Sequence, residues 1–173
     1  MQIREATLDD LQNLVEIWKE RSAEAIGRPA TEDEKILLCE TVERCIIQRH
    51  PSFRVWVADV DGVIVGWQSL MPCTSNPFSR YSRAESSTYT LRRTRVADLG
   101  FRLVKHAVDF AEQSPLVAII AILRCDNIAI QRVGQRLGFV KVGDFPLIPK
   151  WSKDLMSIYV RSVELSVNHT VGV

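Results

Sequence analysis

The chain has 173 residues, 46% of them hydrophobic and 25% charged, with a formal net charge of +1. That length favours a single domain with a sizeable core, and the composition is that of an ordinary soluble globular protein. A net charge so near zero gives no global electrostatic case for nucleic acid. The charge is unevenly spread: residues 1–50 carry seven basic and eleven acidic side chains, residues 80–105 seven basic and two acidic. Cys39, Cys45, Cys73 and Cys125 form no C-x-x-C pair. With three scattered histidines they argue against a metal site and for buried free thiols in a reducing compartment. The N-terminus lacks the apolar core of a signal peptide and no run reaches the length of a membrane span, so the chain is read as cytoplasmic.

Gln2 to Ala6 is a short strand candidate. Thr7 to Asp10 has the pattern of a capping box with Asp in place of Glu. Leu8, Leu11, Leu14, Val15 and Trp18 then give an apolar stripe at helical spacing. Gly27, Arg28 and Pro29 interrupt it, and Thr31 opens a second helix with three acids in its first turn, ending near His50-Pro51. Phe53 to Ala58 and Val63 to Leu70 read as strands joined at Asp61-Gly62, a hairpin signal. Met71 to Arg83, with two prolines and several serines, reads as a loop. A strand from Ser86 to Leu91 follows, then an arginine-rich turn and a helix with Leu99, Leu103, Val104, Ala107, Val108 and Ala111 on one side. The unbroken apolar run Leu116 to Leu123 predicts a strand buried on both faces beside a parallel neighbour. Asn127 caps a further helix that ends at Gly138, Phe139 to Val142 enter a strand, and Leu155 to Val163 form the last one. Residues 166–173 read as a frayed tail. The order β-α-α-β-β-β-α-β-α-β-β defines an α/β domain on a mixed sheet, with a parallel crossover through the helix at 98–113.

The stretch with most chemical content is Ala84 to Arg102, where a strand hands over to a helix through Arg92, Arg93, Arg95, Asp98 and Gly100. A helix start offers free N–H groups and a positive dipole end, and glycine lets an anion come close. Asn127 followed by Leu137-Gly138-Phe139 is a second signal.

Taken together, these residues resemble the GNAT superfamily of acyl-CoA-dependent N-acetyltransferases, and within it the phosphinothricin-acetyltransferase-like group. Four stretches carry the resemblance: Val57-Ala58-Asp59 through Val65-Gly66-Trp67; Glu85-Ser86-Ser87-Thr88-Tyr89-Thr90; Arg95-x-x-Asp98-x-Gly100; and Asn127 to Phe139. It spans residues 2 to 163 and implies a single α/β domain, with a GNAT-like mixed central sheet flanked by helices over residues 1–165. It further implies acetyl-CoA as co-substrate, a small-molecule amine as acceptor, no metal, no nucleic acid and no membrane. Relatives in the group often pair, so a homodimer is compatible, but no residue demands it.

Residue by residue, the resemblance assigns cofactor binding to Thr88, Tyr89 and Thr90 on the strand. In the loop and helix start it assigns Arg95, Val96, Ala97, Asp98, Leu99, Gly100 and Phe101, and on the later helix Asn127 and Arg136. Ser75, Asn76, Pro77 and Phe78 are expected in the acceptor pocket, with Trp151 and Asp154 closing it or simply packing. Glu85 is the expected base, the other reading being a strand-edge carboxylate paired with Arg83 or Arg80. Two positions depart from the family pattern. Asp98 stands where the loop has its first glycine. Gly134 stands where a Tyr or His can protonate the leaving thiolate, a role left to Tyr81, Tyr89 or Tyr159. These departures favour the alternative of a degenerate GNAT-fold module that binds CoA or a partner without catalysis. Glu85, Gly100 and Asn127 favour transfer of an acetyl group to a primary amine.

Overall fold

The computed structural model describes residues 1–26, 28–145 and 156–163. These form seven strands and four α-helices: β1 (Gln2–Glu5), α1 (Leu11–Ile26), α2 (Glu32–Gln48), β2 (Arg54–Val60), β3 (Val63–Pro72), β4 (Arg83–Thr90), α3 (Leu99–Ala111), β5 (Ala118–Arg124), α4 (Ile128–Arg136), β6 (Val140–Asp144) and β7 (Met156–Ser162). The order is the one the sequence predicts. Trp151, Asp154 and residues 166–173 lie outside the described residues.

The strands make one sheet in the order β1-β2-β3-β4-β5-β7-β6. Among the described strands β4 and β5 are the one parallel pair. A parallel pair needs a crossover, and α3 supplies it. The β2–β3 hairpin turns at Asp61 (φ 53) and Gly62 (φ 86), both left-handed. This is the twist-matched turn that Asp-Gly favours. The Gly62 N–H donates to Asp59 Oδ1 at 2.8 Å.

Two cores cover the two faces of the sheet. On one face α3 packs Val104, Ala107, Val108 and Ala111 against Trp56, Leu70, Ala84, Ile119, Phe139 and Tyr159. On the other, Leu14, Ile17 and Val42 of α1 and α2 pack against Val55, Val57, Ile64 and Trp67. Trp67 is almost fully buried, and its Nε1–H donates to the Leu14 carbonyl at 3.1 Å, tying α1 to the sheet.

Capping boxes fix the single 3₁₀ turn Leu8–Asp10 that leads into α1 and the start of α2. The Thr7 N–H donates to Asp10 Oδ2 at 2.8 Å, as the Asp variant of the capping box requires. The Arg4 guanidinium closes a fork on the same carboxylate at 2.7 and 2.9 Å. The Arg4 guanidinium is the main reason why Asp10 titrates below the ordinary carboxylate range. At α2, Glu34 N–H donates to Thr31 Oγ1, and Thr31 N–H donates back to Glu34 Oε2. The Arg28 guanidinium, with that cap, pulls the Glu34 carboxyl down to about 2.

One expectation is corrected. β5 is not buried on both faces: Ile122 is 37% exposed. The strand keeps its parallel register with β4 only from Arg83↔Ala118 to Glu85↔Ile120. Beyond that point the two separate, and the apolar side chains of β5 line the gap.

Candidate active site

The gap is a cavity of about 280 Å³. One wall is Ser86, Ser87, Thr88 and Tyr89 of β4; the other is Ala121, Ile122, Leu123 and Arg124 of β5. Asn127, Gly134 and Phe139 close it from the α4 side, and Arg21 reaches it from α1. After Glu85, β4 pairs with β3 alone. Its second edge of N–H and C=O groups therefore faces the gap without a strand partner, which backbone polar groups tolerate only with a ligand or water.

The antiparallel register sets which way each β4 side chain points. Gln68↔Thr88 and Leu70↔Ser86 share the α3 face; Trp67↔Tyr89, Ser69↔Ser87 and Met71↔Glu85 share the α1–α2 face. Buried Gln68 accepts from the Thr88 hydroxyl, and its amide donates to Ser86 Oγ at 2.9 Å. That network holds this part of β4 rigid from behind. Tyr89 stacks obliquely on Trp67 with ring centroids 4.6 Å apart. Thr90 lies beyond the wall, beside Gly66.

Glu85 sits at the last residue pair before the strands part. It is half-buried, with no hydrogen bond or ion pair among the described residues, so neither Arg83 nor Arg80 neutralises it there. Burial pushes its carboxyl above the ordinary range. A carboxylate so placed is a better base than one in water.

The loop after β4 leads into α3. Val96 and Leu99 face inward against Ala58 and Leu103, so their side chains anchor the loop. Arg92, Arg93, Arg95 and Ala97 are exposed. The Arg92 N–H donates to Glu20 Oε1 at 3.2 Å. Asp98 occupies the N-cap in the left-handed region (φ 53), and its side chain makes no capping bond. The first turn of α3 therefore keeps its N–H groups available. The space beside Gly100 is open: an added Cβ would meet nothing within 4 Å. At the far end of α4, the Arg136 guanidinium lies over the Phe101 ring at 4.4 Å and so joins the α3 start. Asn127 caps α4, accepting from the Ile130 N–H at 3.3 Å, and also lines the cavity. The N-cap is formed, and it leaves Asn127 on the cavity wall.

Gly134 is buried on the cavity wall, where an added Cβ would touch Phe139 at an ordinary 3.5 Å. Of the three tyrosines weighed as its replacement, Tyr81 stacks on His50 (4.3 Å) elsewhere and Tyr159 is packed in the core. Tyr89 alone lines the gap.

Of the four residues expected in the acceptor pocket, Ser75 lines a cavity between α2 and the end of β3 that Asn76, Pro77 and Phe78 do not line. Asn76 Oδ1 accepts from the Phe78 N–H at 3.0 Å, forming a tight turn, and Phe78 is 97% exposed. The cavity beside Ser75 measures about 380 Å³ and runs between α2 and the end of β3. The sequence reading misses Arg44 and Arg80 on its walls, as it misses Ser86, Ser87 and the β5 wall of the gap. The signal for the β5 wall was present: an apolar run of that length must line something where its neighbour leaves it.

A sheet that opens at its parallel pair, beside an uncapped helix start in an arginine-rich loop, is the architecture of GNAT-type acyltransferases. The model of the acetyltransferase (GNAT) domain matches residues 1–140, and the chain belongs to that family. Solved structures agree on the fold. yncA from Salmonella typhimurium, solved with acetyl-CoA, superposes with a TM-score of 0.78 at 21% identity, over 95% of this chain and 94% of its own. A phosphinothricin acetyltransferase from Sinorhizobium meliloti, in complex with acetyl-CoA, gives 0.75 at 19% identity, over 94% and 88%. A ribosomal-protein-alanine N-acetyltransferase from Brucella melitensis gives 0.75 at 20%, over 94% and 100%. No curated protein matches the sequence significantly. Among the described residues no helix is long and apolar enough to cross a membrane, and no cluster of three or more His, Cys, Asp or Glu could hold a metal ion.

Proposed function

We propose that the protein is an acetyl-CoA-dependent N-acetyltransferase acting on the primary amine of a small molecule, an amino acid or amino-acid-like compound. The observation that carries this reading is the parting of β4 and β5 next to an unpaired, half-buried Glu85. Acetyl-CoA supplies an activated thioester. The residues present fit it: the unpartnered edge of β4 suits an amide-rich arm, and the open space at Gly100 with Arg95 and the α3 start suits phosphate.

In this reading Glu85 takes the proton from the incoming ammonium, directly or through a water. N–H groups of Thr88 to Thr90 polarise the carbonyl, and the walls hold both partners in reach. The reaction is one displacement: nitrogen bonds to the acetyl carbon, the carbon–sulfur bond breaks, and sulfur takes a proton. In this reading Tyr89 supplies that proton and recovers one from the nitrogen, through solvent, as the amide forms.

The test is release of CoA thiol, with the acetylated product identified by mass, across a panel of amines and in Glu85→Gln. Turnover lost in Glu85→Gln with acetyl-CoA binding intact supports the assignment. Acetyl-CoA binding without turnover on any amine would favour the non-catalytic module, to which Gly134 and Asp98 point. Failure to bind acetyl-CoA would sink the proposal.

A further inference from the structure

The two sides of the β4–β5 gap differ in chemistry. Toward α3 and α4 the lining is apolar, with Val104, Val133 and Phe139 continuous with the core. On the other face the strand register decides what lines it. Ile119, Ala121 and Leu123 of β5 pack into the α3 core, so Ile120, Ile122 and Arg124 alternate to the α1–α2 face. There Arg124 joins Ser87 and Tyr89 of β4 and Arg21 of α1. Among the described residues that line the gap, Arg21 and Arg124 are the charged ones, and neither Asp nor Glu is present. The mechanism above uses neither arginine.

Arg21 is the more informative of the two. It follows Leu14, Ile17 and Trp18 at helical spacing, and those residues pack α1 onto the sheet. Position 21 therefore belongs to the sheet-facing stripe of the helix, yet it holds a half-buried cation. A charged side chain there costs desolvation that an apolar one would not. Arg124 is forked onto Asp126 at 2.9 and 2.6 Å, which offsets its charge. The base is kept apart from both. Burial lifts the Glu85 carboxyl, with no guanidinium pulling it down. Arg21 is thus set beside Ser87 and Tyr89, at the level of the thioester, rather than beside the amine at Glu85.

We propose that Arg21, with the Ser87 hydroxyl, binds a carboxylate at the far end of the acyl chain, so that the protein also takes CoA thioesters of dicarboxylic acids as acyl donors. Succinyl-CoA is the probe of that class. A planar guanidinium fork suits a carboxylate, and Ile122 and Met156 offer apolar wall to the methylenes between. The inference rests on the acetyltransferase reading. With the thioester carbonyl on the N–H groups of Thr88 to Thr90, the acyl chain leaves toward the α1–α2 face, because core side chains fill the other. The bond changes are those of acetyl transfer: nitrogen bonds to the acyl carbon, the carbon–sulfur bond breaks and sulfur takes a proton. The distal carboxylate stays ionised throughout.

The test is calorimetric titration with fresh succinyl-CoA and with butyryl-CoA, which has the same number of acyl carbons and no distal carboxylate. The two ligands share the whole CoA moiety, so the ratio of their affinities reads the acyl end alone. The wild type is expected to bind succinyl-CoA more tightly by about tenfold or more, and the advantage shrinks as salt rises. Arg21→Gln removes the advantage. Arg21→Lys keeps part of it, since the charge remains while the fork is lost. Equal affinities in the wild type, or an advantage untouched by Arg21→Gln, overturns the proposal. The wild-type comparison decides by itself if Arg21→Gln does not fold. Acetyl-CoA titrated alongside separates two failures. Acetyl-CoA bound with no succinyl preference sinks this inference alone, whereas no binding of acetyl-CoA sinks the acetyltransferase reading with it.

Discussion

Replacing Asp98 by glycine should tighten acetyl-CoA binding and leave the fold at least as stable. Two effects of known sign combine. Asp98 sits at φ 53 in the left-handed region, where an L side chain costs free energy and glycine does not. Its side chain caps nothing, so no hydrogen bond is lost. Relief of the left-handed strain, about 1 kcal/mol, is offset by about 0.5–1 kcal/mol of extra unfolded-chain entropy, so stability should change little. The larger effect is electrostatic. Unit charges about 5 Å apart in water-like surroundings interact by about 1 kcal/mol, and a pyrophosphate carries more than one. Removing the carboxylate should therefore strengthen binding about five- to tenfold, and less so as salt rises. Arg95→Ala should do the reverse by a similar factor. Calorimetric titration with acetyl-CoA at two salt concentrations reads both. Binding that weakens in Asp98→Gly, or ignores salt, would refute the placement of phosphate at the α3 start.

Glu85→Gln should lower kcat/KM about a hundredfold or more and remove the acid limb of its pH profile. That limb should lie above the ordinary glutamate range, because burial raises the folded pKa. The same shift has a stability sign. A carboxyl raised on folding stabilises below its unfolded pKa and loses that contribution as pH rises through the folded one. Glu85→Gln should therefore be neutral or stabilising at pH 7 by denaturant melts. Tyr89→Phe should cost about tenfold in kcat with acetyl-CoA affinity kept; a thiol of pKa about 8.5 leaves tolerably without an acid. Unchanged kcat would remove Tyr89 from the mechanism. Asp10→Ala strips the Arg4 fork and the Thr7 cap together and should destabilise by about 2–4 kcal/mol in urea unfolding. Because Asp10 titrates low in the fold, its contribution is full above about pH 4 and fades as pH falls through the folded value. Equal destabilisation at pH 7 and pH 2 would contradict that account.

The element order was legible because each boundary had a local cause: Thr7, Thr31 and Asn127 caps, the Asp61-Gly62 turn, and the helix stop at Gly138. The parallel neighbour of β5 was legible from its continuous apolar run. Where the pair parts was not, since separation after Glu85 depends on β7 pairing along the whole of β5 while β4 follows β3. The cavity between α2 and the end of β3 was least legible. Asn76, Pro77 and Phe78 satisfy a turn of their own, whereas Arg44 and Arg80 converge from positions 36 residues apart. No spacing rule announces such a meeting; α2 packing on the face of the sheet beside the end of β3 creates it.

In the proposed mechanism the acid is Tyr89, because α4 carries Gly134 where a side chain could supply the proton. At Gly134 the chain has given up side-chain volume inside the cavity, and the contact that an added Cβ would make with Phe139 is ordinary, so sterics did not impose the glycine. Tyr89 on the opposite wall is held by Trp67, and burial keeps its phenol protonated at neutral pH. In the proposed mechanism the acid, Tyr89, lies among the N–H groups of Thr88 to Thr90 and four residues from Glu85. Base, carbonyl clamp and acid are then all carried by one strand, braced from behind by Gln68 and Thr88. Alternation along that strand separates the tasks, since Glu85 and Tyr89 share one face and the bracing network lies on the other. Such a site depends on the rigidity of β4 more than on the position of α4, which is why an empty position 134 is compatible with transfer.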